Sequence, residues 1–472
     1  MLKHIAYPFL FFSFLTACQP SPPAAPVKSG SVALRELRVA AQFDGINFSK
    51  DGEQQYSGFE YDLLKTFAQR LNIPLSISPA SSRTQALKML TDGRVHLAVG
   101  NIENTPTEGI AWSEPLGKKQ LVLVARTDQP ELDTLSRLQK HLIAVQRNAS
   151  AEQALYAQSE QIKNAHITRP VWGNEIDLLA RLSRQTFDFV ATDMMLFKSV
   201  STFYPNLHVV YTFPNPQATA WAVSSQSQEL RAELDRFLDT ASDEGLIERL
   251  QDRYFGAGRE LNEFDLRTFQ ARIQERLPKY QAFFEEASQQ TGLDWRLLAA
   301  VSYQESHWDP LATSYTGVRG MMMLTAETAD RLGVENRLDP KQSILGGARY
   351  IDMLLENMPE NAHEEDRTWM ALAAYNIGLG HFNNVRNIAR KIKQNDEAWF
   401  DLKQVLLQVN RPEFSHNFSA GPPPRGGEAI NMVESVRTFY SILLRTQQPV
   451  FSETNAQIKP YLKLQALNVN VP

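Results

Sequence analysis

The chain has 472 residues, 43% of them hydrophobic, and a formal net charge of −5 at pH 7. This length and apolar content predict two or three domains, each with its own core. The acidic balance argues against nucleic acid as a partner, because phosphate binding depends on clustered positive charge. The 9 histidines and the single cysteine form no metal-ligand pattern, so we expect no metal, no cofactor and no disulfide.

The N-terminus has the pattern of an export signal. The apolar run from Phe9 to Leu15 follows a short basic start and is too short to span a membrane. The sequence Leu-Thr-Ala-Cys that ends at Cys18 resembles a bacterial lipobox, which implies removal of residues 1–17 and lipidation of Cys18. The Gln that follows Cys18 implies sorting to the outer membrane, on its periplasmic face. Residues 18–32, rich in Pro, Ala and Ser, predict an extended tether. The alternative is an ordinary buried Cys at the end of a signal anchor.

Residues 33–257 alternate short apolar runs with amphipathic stretches. We predict strands at residues 37–42, 75–78, 95–100, 120–125, 142–146, 187–192 and 209–213. We predict helices between them, at about residues 59–72, 83–91, 150–163, 174–184 and 226–244. This alternation is typical of βαβ units and predicts a mostly parallel α/β architecture.

Five motifs in this region carry a family resemblance. They are Gly58-Phe59-Glu60-Tyr61-Asp62-Leu63, Asp92-Gly93-Arg94-Val95-His96-Leu97, Trp112-Ser113-Glu114-Pro115, Phe187-Asp188-Phe189-Val190-Ala191-Thr192-Asp193 and the segment from Gly245 to Gly256. Together they resemble family 3 periplasmic solute-binding domains, which are two-lobed and close on amino acids. The resemblance implies a ligand cleft between two lobes.

The residues at the implied cleft depart from those of amino-acid binders. In that family an Arg follows a Thr-Pro-Glu turn and clamps the ligand carboxylate, whereas the turn at residues 105–109 has none. Asp193 matches the family's amine-binding Asp, and Ser150 follows the segment 146–149 where the second lobe binds the ligand backbone. We therefore expect a peptide-like or muropeptide ligand rather than a free amino acid. The alternative is a degenerate scaffold that only positions the rest of the protein.

The segment from Leu297 to Pro310 predicts a helix that carries a carboxylate on an apolar stripe. Leu298, Val301, Glu305 and Trp308 are spaced three and four residues apart, so a helix places them on one face. Burial disfavours the charged form of a carboxylate, so the pKa of Glu305 should rise, as a general acid requires. The alternative is a surface glutamate on the other face of the helix.

The ends of this helix are also predicted by its sequence. Asp294 can cap its N-terminus, with Leu293 and Leu298 placed to form a hydrophobic staple. Asp309-Pro310 should end it, since a residue before Pro disfavours the α region. Glu305 is thus expected on the last turn, at the edge of a cleft.

Four ordered blocks that include this glutamate carry a second resemblance. They are Glu305-Ser306, the segment from Ser314 to Thr325, Ala373-Ala374-Tyr375-Asn376-Ile377-Gly378 and the segment from Gly427 to Val433. They resemble the family 1 lytic transglycosylases, which cleave peptidoglycan strands and have an all-α, goose-type-lysozyme-like fold. Met323 stands where most of that family has Gln, and Met432 where a Tyr is usual. The triple Met at residues 321–323 is similar to that of one membrane-bound branch.

The blocks suggest how the glycan is held. Gly317 and Gly320 allow a tight turn close to a bulky polymer, and the methionines offer an adaptable apolar wall or simply fill the core. Tyr375 offers a hydrogen-bond donor, and Asn376 offers an amide that fits an N-acetyl group. The resemblance implies substrate contacts from eight residues: Ser306, Ser314, Gly320, Met321, Met323, Tyr375, Asn376 and Glu428. For Ser306, a hydrogen bond within its own helix is the alternative.

Only Glu305 lies in a convincing catalytic motif, although glycoside hydrolysis usually takes two carboxylates. The resemblance implies that the muramic acid O6 attacks its own anomeric carbon, giving a 1,6-anhydro product. Two alternatives stay open: a water-using muramidase, and a periplasmic sensor or binding lipoprotein whose helical half is inert. We expect a linker at residues 258–270, a catalytic domain at residues 271–447 and a tail at residues 448–472.

Overall fold

The computed structural model describes most of the chain between its two termini. The described residues are 34–50, 55–147, 149–170, 174–256, 261, 263–314, 317–418 and 423–447. The predicted signal peptide, the lipidation site Cys18, the tether and the C-terminal tail lie outside the described residues. Of the helices that are described, none combines the length and the apolar composition that a membrane crossing requires.

The described strands are numbered in chain order. They are β1 Leu37–Gln42, β2 Ser49–Lys50, β3 Tyr56–Ser57, β4 Leu75–Ala80, β5 Leu97–Val99, β6 Ile110–Trp112, β7 Gly117–Lys119, β8 Leu121–Arg126, β9 Leu142–Val145, β10 His166–Thr168, β11 Phe189–Asp193, β12 Leu207–Thr212, β13 Gln217–Thr219 and β14 Ala222–Ser224. Each predicted strand is present, with ends that differ by a few residues.

The described α-helices follow the same order. They are α1 Phe59–Arg70, α2 Arg83–Thr91, α3 Ser150–Ala157, α4 Glu175–Ser183, α5 Met194–Ser201, α6 Gln228–Asp243, α7 Leu246–Phe255, α8 Glu263–Glu275, α9 Gln281–Thr291, α10 Trp295–Ser306, α11 Ala326–Arg331, α12 Pro340–Glu356, α13 Glu364–Ile377, α14 Leu379–Lys391, α15 Trp399–Leu406 and α16 Gly426–Thr446. Among the described elements, the strands lie before α6 and helices follow it, so this part of the chain is α/β first and all-α afterwards.

Two five-stranded sheets form the two lobes of the N-terminal domain. The first lobe has the strand order β4-β1-β5-β14-β6, and the second has the order β10-β9-β11-β8-β12. Val39 and Ala40 are neighbours on β1 and are both fully buried. Because successive side chains of a strand point to opposite faces, both faces of this sheet are covered. The predicted two-lobed α/β fold is confirmed.

The prediction of a mostly parallel sheet is wrong, because each lobe is half antiparallel. In the first lobe β1 pairs in parallel with β4 and β5, whereas β14 pairs antiparallel with β5 and β6. In the second lobe β9 pairs in parallel with β10 and β11, whereas β8 pairs antiparallel with β11 and β12. Strand β8 enters the second lobe from the first, and β14 enters the first lobe from the second. Each of them runs antiparallel to the βαβ strand beside it.

A two-stranded antiparallel ribbon joins the lobes. The chain leaves the first lobe through β7 and returns through β13, and these two strands pair with each other. Glu103, just after β5, forms an isolated bridge with Thr219 at the end of the ribbon. We call these two paired crossings the hinge ribbon. The bridge at Glu103 bonds the ribbon to the backbone of the first lobe.

The helical domain is built around α10. Nine consecutive residues of this helix, Trp295 to Tyr303, are buried. Helices α9, α12 and α16 pack against it. The prediction that residues 258–270 form a linker is wrong for its second half, because α8 begins at Glu263. Leu266 and Phe269 of that helix are buried in the helical core, so they belong to this domain.

A buried charge network joins the two domains through α7. Arg437 of α16 is 2% exposed, and its Nη1 lies 3.2 Å from Oδ2 of Asp252 and 2.9 Å from Oε2 of Glu434. Lys403 of α15 also pairs with Asp252 and Glu434. Arg253 lies 3.2 Å from Asp366, in the first turn of α13. Helix α7 is therefore held to α13, α15 and α16 by ion pairs.

Candidate active site

Glu305 lies on the last turn of α10, as predicted, but the helix ends differently from the prediction. Asp294 caps its start by accepting a hydrogen bond from the Arg296 backbone N–H at 2.8 Å. The helix ends at Ser306, because His307 and Trp308 have φ of 53° and 57°, in the left-handed region. The Asp309-Pro310 stop signal therefore lies beyond the actual end.

Trp308 is not part of the helical stripe that the sequence predicted. It lies outside α10, and the chain folds back so that its Nε1–H donates to the carbonyl of Ala299 at 2.8 Å. Its ring is still buried, at 1% exposure. Leu298 and Val301 lie in the core as predicted, both fully buried. The spacing from Leu298 and Val301 thus predicted the face of Glu305, although Trp308, the third apolar residue of the predicted stripe, lies outside the helix.

Within the described part of the chain, no charged group pairs with the carboxyl group of Glu305. The residue is half-buried, and among the described residues none donates a hydrogen bond to its carboxylate or pairs with it. Burial alone raises its pKa from 4.5 to about 8. A charged form that is desolvated and unpaired is disfavoured, so the proton stays on at neutral pH. This is the behaviour of a general acid.

The triple-methionine turn is held against α10 by two serine hydroxyls. Ser302 and Ser306, one helical turn apart, both donate to the carbonyl of Met321, at 3.0 and 2.9 Å. Ser343 of α12 accepts from the Met322 backbone N–H at 3.1 Å. The Ser306 hydroxyl also lies 3.1 Å from the Ser302 carbonyl, so the predicted alternative of a hydrogen bond within its own helix is present as well, and both acceptors are backbone carbonyls. The motifs did not indicate Ser302 or Ser343, although the i, i+4 spacing of Ser302 and Ser306 is a signal that was available.

Gly320 and two of the three methionines serve packing rather than substrate contact. Gly320 has φ of +83°, and a Cβ there would lie 1.7 Å from the carbonyl oxygen of Arg337. The residue is buried against its own domain, so the close approach it allows is to protein backbone. Met321 and Met322 are fully buried core residues. The expectation that Gly320 and Met321 contact substrate is therefore corrected, whereas Met323, at φ of 47°, is partly exposed.

Tyr375 and Asn376 lie at the end of α13. The Tyr375 hydroxyl donates to the Met322 carbonyl at 2.5 Å, which fixes the other side of the methionine turn. Burial raises the pKa of Tyr375 well above 10, and the negative charge of Glu305 adds to this rise. Asn376 is exposed, with its amide available to a ligand.

The two remaining predicted contact residues lie nearer the surface. Ser314 is half-buried in the loop before the methionine turn, where its backbone N–H donates to the Val318 carbonyl. Glu428 is exposed in the first turn of α16 and pairs with Arg425 at 2.9 Å. Among the described residues, no hydrogen bond or ion pair links Glu428 to Glu305.

Other carboxylates of this region are exposed. Glu327 and Asp330 lie on the surface of α11, and Asp309 accepts a hydrogen bond from the Leu311 backbone N–H. Within the part of the chain that the structure describes, no group of three or more His, Cys, Asp or Glu side chains is placed to hold a metal ion. Glu305 is thus less exposed than Glu327, Asp330 and Asp309.

Asp193 and Ser150, the two predicted ligand residues of the N-terminal domain, line different cavities. Asp193 lines a cavity of about 600 Å³, and Ser150 lines a second one of about 340 Å³. Lys119 and Glu103, which line the second cavity together with Ser150, form an ion pair at 3.1 Å. The Ser150 hydroxyl donates to the same Glu103 carboxylate. The sequence therefore predicted one site, whereas Asp193 and Ser150 line two different cavities among the described residues.

Arg83 is a functional candidate that the sequence motifs missed. The turn at residues 105–109 contains no Arg, but Arg83, the first residue of α2, donates to the hydroxyl of Thr105 in that turn. Its guanidinium lies over the Trp112 ring, 5.9 Å from the ring centroid. The cation at this turn comes from another segment, which local spacing does not reveal.

Family models match both parts of the chain. Residues 37–257 match the family of bacterial extracellular solute-binding proteins, family 3. Residues 282–398 match the transglycosylase SLT domain. Solved structures similar to the N-terminal domain include a mutant of ArgBP from T. maritima, at 20% identity over 47% of this chain and 96% of that one, with a TM-score of 0.41. Another is the amino acid ABC transporter substrate-binding protein AbpA from Streptococcus pneumoniae, at 21% identity over 48% and 97%, with a TM-score of 0.42.

The class of protein is thus a transglycosylase SLT domain preceded by a family 3 solute-binding domain. Three relatives carry the name membrane-bound lytic murein transglycosylase F. They are from Methylobacillus flagellatus, 36% identical over 94% of this chain and 95% of the relative, Thiobacillus denitrificans, 37% over 92% and 91%, and Pseudomonas putida, 33% over 93% and 90%. The chain belongs to the membrane-bound lytic murein transglycosylase F family, and the resemblance predicted from the motifs is confirmed.

Proposed function

We propose that the chain cleaves the β-1,4 bond between N-acetylmuramic acid and N-acetylglucosamine in peptidoglycan, with Glu305 as both acid and base. The observation that carries this proposal is the unpaired, half-buried carboxyl group of Glu305, whose pKa burial raises to about 8. At neutral pH the group holds the proton that the glycosidic oxygen needs when the bond to the anomeric carbon breaks. The N-acetylglucosamine hydroxyl then leaves with that proton.

The second step uses a nucleophile that the substrate carries. The muramic acid O6 attacks its own anomeric carbon, and the ionised Glu305 takes the O6 proton. The product has a 1,6-anhydro end, no water is consumed, and Glu305 returns to its protonated form. An intramolecular nucleophile has a high effective concentration, so a second catalytic carboxylate is not required. The exposed positions of Glu327 and Asp330 support this single-acid scheme.

The residues around Glu305 divide into two groups under this proposal. Ser314, Met323, Tyr375, Asn376 and Glu428 contact the glycan. Ser306, Gly320 and Met321 hold the methionine turn in place. The Ser306 hydroxyl donates to the Met321 carbonyl, and Gly320 lies so close to the Arg337 carbonyl that a side chain would not fit. The Tyr375 hydroxyl also fixes this turn, so it can position both the turn and a sugar ring.

A digest of purified peptidoglycan tests the reaction. Products of the proposed reaction have masses one water below those of hydrolytic products, so mass spectrometry of a single digest separates the two reactions. We expect anhydro ends with the wild-type protein and none with Glu305→Gln. Reducing ends in bulk would instead make the protein a hydrolytic muramidase.

We further propose that the N-terminal domain binds a muropeptide-like ligand and regulates the helical domain. The hinge ribbon of β7 and β13 allows the lobes to move, and the ion pairs of α7 connect such a motion to α13, which carries Tyr375. A ligand shifts this equilibrium only if it binds the two states with different affinity. Lysis rates with and without added muropeptide test the coupling. An unchanged rate would leave the domain as a scaffold.

For location and domain limits, we propose a periplasmic lipoprotein of the outer membrane. The lipobox-like sequence ending at Cys18 supports lipid anchoring, and the relatives bear the name membrane-bound. We propose a solute-binding domain at residues 33–257 and a catalytic domain that runs from the start of α8 to residue 447. Membrane fractionation of wild type and Cys18→Ser tests the anchor. We expect wild type in the membrane fraction and the variant in the soluble fraction.

A further inference from the structure

A series of ring contacts leads outward from the methionine turn to an exposed cation. The hydroxyl of Tyr375 donates to the Met322 carbonyl, and its ring centroid lies 5.3 Å from that of Tyr350 on α12. The guanidinium of Arg331 lies over the Tyr350 ring, 5.5 Å from the ring centroid. Two aromatic rings therefore separate Arg331 from the turn that packs on α10.

The position of Tyr375 relates these rings to the catalytic acid. Ser306, the residue after Glu305, and Tyr375 donate to two successive backbone carbonyls of the methionine turn, at 2.9 and 2.5 Å. The negative charge of Glu305 also contributes to the raised pKa of Tyr375. The ring pair thus extends from the turn at the Glu305 end of α10 toward Arg331.

The guanidinium of Arg331 has no anionic partner among the described residues. Arg331 is the last residue of α11 and is exposed, and its side chain forms no ion pair or hydrogen bond with them. Glu327 lies one helical turn earlier, at a spacing that commonly gives an ion pair, yet the guanidinium lies over Tyr350 instead. The ring attracts and orients the cation, and its N–H donors stay available to a ligand.

Two other arginines of this region hold backbone instead. Nη1 of Arg337 donates to the carbonyls of Gly317 and Leu324, both at 2.9 Å. Nη2 of Arg349 donates to the Leu332 carbonyl at 3.1 Å. Arg331 differs from them because its guanidinium contacts a ring and leaves its donors unused within the described chain.

We propose that Arg331, oriented by Tyr350, binds a carboxylate of the glycan strand that Glu305 cleaves. A guanidinium presents two parallel N–H donors that match the two oxygens of a carboxylate. N-acetylmuramic acid has a lactyl carboxylate, which is free in peptide-free strands. In peptide-bearing strands it is amide-linked to a stem peptide that has carboxylates of its own. The proposal rests on the peptidoglycan-cleaving function proposed above and concerns the preference among its substrates.

Arg331 is expected to determine specificity and not to take part in the proton transfers. Two rings separate it from the methionine turn, so its contact with the strand is made away from the bond that breaks. Loss of such a contact weakens binding of the ground state and the transition state alike, which raises KM and leaves kcat unchanged. The pH profile of the reaction should also stay that of wild type.

Three preparations of glycan strands test the site. The first is peptide-free strands with free lactyl carboxylates, and the second is the same strands with these groups converted to methylamides. The third is uncross-linked strands that keep their stem peptides. With wild type, we expect kcat/KM to be roughly tenfold higher for a carboxylate-bearing preparation than for the methylamide, as for a charged hydrogen bond. The preparation that shows this preference, the first or the third, identifies the lactyl group or the stem peptide as the source.

Variants of the full chain assign the preference to this residue. Arg331→Gln should raise KM for the preferred strands roughly tenfold and change kcat, and all rates on the methylamide strands, by less than about twofold. Arg331→Lys keeps the charge without the planar pair of donors and should be intermediate. Tyr350→Phe keeps the ring and should behave as wild type. Arg267→Gln, which removes a positive charge from the exposed surface of α8, is the matched control.

The outcomes separate this site from the function on which it rests. If Arg331→Gln weakens cleavage of all three preparations equally, the residue is structural and the carboxylate site is wrong. Wild-type kinetics of Arg331→Gln on all three would refute it too, while the cleavage reaction stands. If the wild-type protein cleaves none of the three, the proposed function is wrong as well.

Discussion

Glu305 and Asp193 are two acids with raised pKa values in two different environments. The pKa of Glu305 rises to about 8 from burial alone, with no charge or hydrogen bond opposing it. Burial also raises the pKa of Asp193, to about 6, but the Lys119 ammonium and the backbone N–H groups of Met195 and Leu196 oppose the rise. The helical domain thus keeps a proton on its acid, whereas the N-terminal domain keeps its acid largely ionised.

This difference shows how the same side-chain chemistry is directed to different tasks. An unpaired, desolvated carboxyl group is prepared to give a proton, and a carboxylate with one satisfied and one free oxygen is prepared to accept a donor. The α7 network is a third case, in which Arg437 and Lys403 neutralise Asp252 and Glu434. There the carboxylates hold the two domains together.

The largest effect is expected from Glu305→Gln. Gln keeps the shape of the side chain but has no titratable proton, so lysis of purified peptidoglycan should fall by roughly a thousandfold or more. Glu327→Gln, on the exposed surface of α11, is the matched control and should retain wild-type activity. Near-normal lysis by the Glu305 variant, with the fold kept by circular dichroism, would refute the single-acid mechanism.

Removal of Arg437 should have the next largest effect, on stability. Arg437→Met leaves Glu434 and Asp252 with less of their compensating charge in a buried place, so the free energy of unfolding should fall by about 3–5 kcal/mol. Urea denaturation measures the change. Lys88→Met, which breaks an exposed pair with Asp92, serves as the control and should cost less than about 1 kcal/mol. Equal effects would mean that the network is not buried in solution.

The pH dependence of lysis should report the proton on Glu305. The protonated form predominates below its pKa of about 8, so the rate should fall on the alkaline side of that value. The decrease should approach tenfold per pH unit well above the pKa, which gives roughly fiftyfold between pH 8 and pH 10. Initial rates at constant ionic strength give the profile. A fall in rate centred near pH 5 would instead mean that Glu305 is solvated and that its pKa is that of an ordinary carboxyl group.

The smallest effect compares the two acids through stability. Both pKa values are higher in the folded chain, so the unfolded chain binds fewer protons and the free energy of unfolding falls as pH rises. For Asp193 this fall runs from about pH 4 to about 6, and for Glu305 from about pH 4.5 to about 8. Asp193→Asn and Glu305→Gln should each be stabilising at pH 7, by roughly 1–3 kcal/mol.

The shapes of these two pH curves provide the test. The gain from Asp193→Asn should level off above about pH 6, whereas the gain from Glu305→Gln should continue to increase up to about pH 8. Unfolding midpoints in urea at a series of pH values measure both curves. Identical curves would remove the distinction between the two environments.

Local sequence determined the secondary structure and the acid of the helical domain. Periodicity located each predicted strand and helix, and the Asp294 cap and the apolar spacing around Glu305 gave its helix and its buried face. These features depend on residues within one or two turns, so a single segment carries the information. The motifs and their order were enough to predict the family, because each motif is a local sequence pattern.

Tertiary structure alone decided which distant groups meet. The spacing of Ser302 and Ser306 places them on one helix face, but no local pattern shows that they and Tyr375 hold the same methionine turn, which places Met321 in the core. Arg83 reaches a turn that has no Arg of its own. Likewise, β8 runs antiparallel to β11 and β14 runs antiparallel to β5 because the chain crosses between the lobes before each of them.

The cleft of the N-terminal domain shows this limit most clearly. The sequence predicted Asp193 and Ser150 as residues of one ligand site, but it could not show that they line two different cavities, the second of which also contains the Lys119–Glu103 pair. Burial, charge balance and unpaired oxygens depend on the summed positions of residues far apart in the chain. The sequence by itself determined which chemistry is present, and the packing of the two lobes and α7 decided where that chemistry can be used.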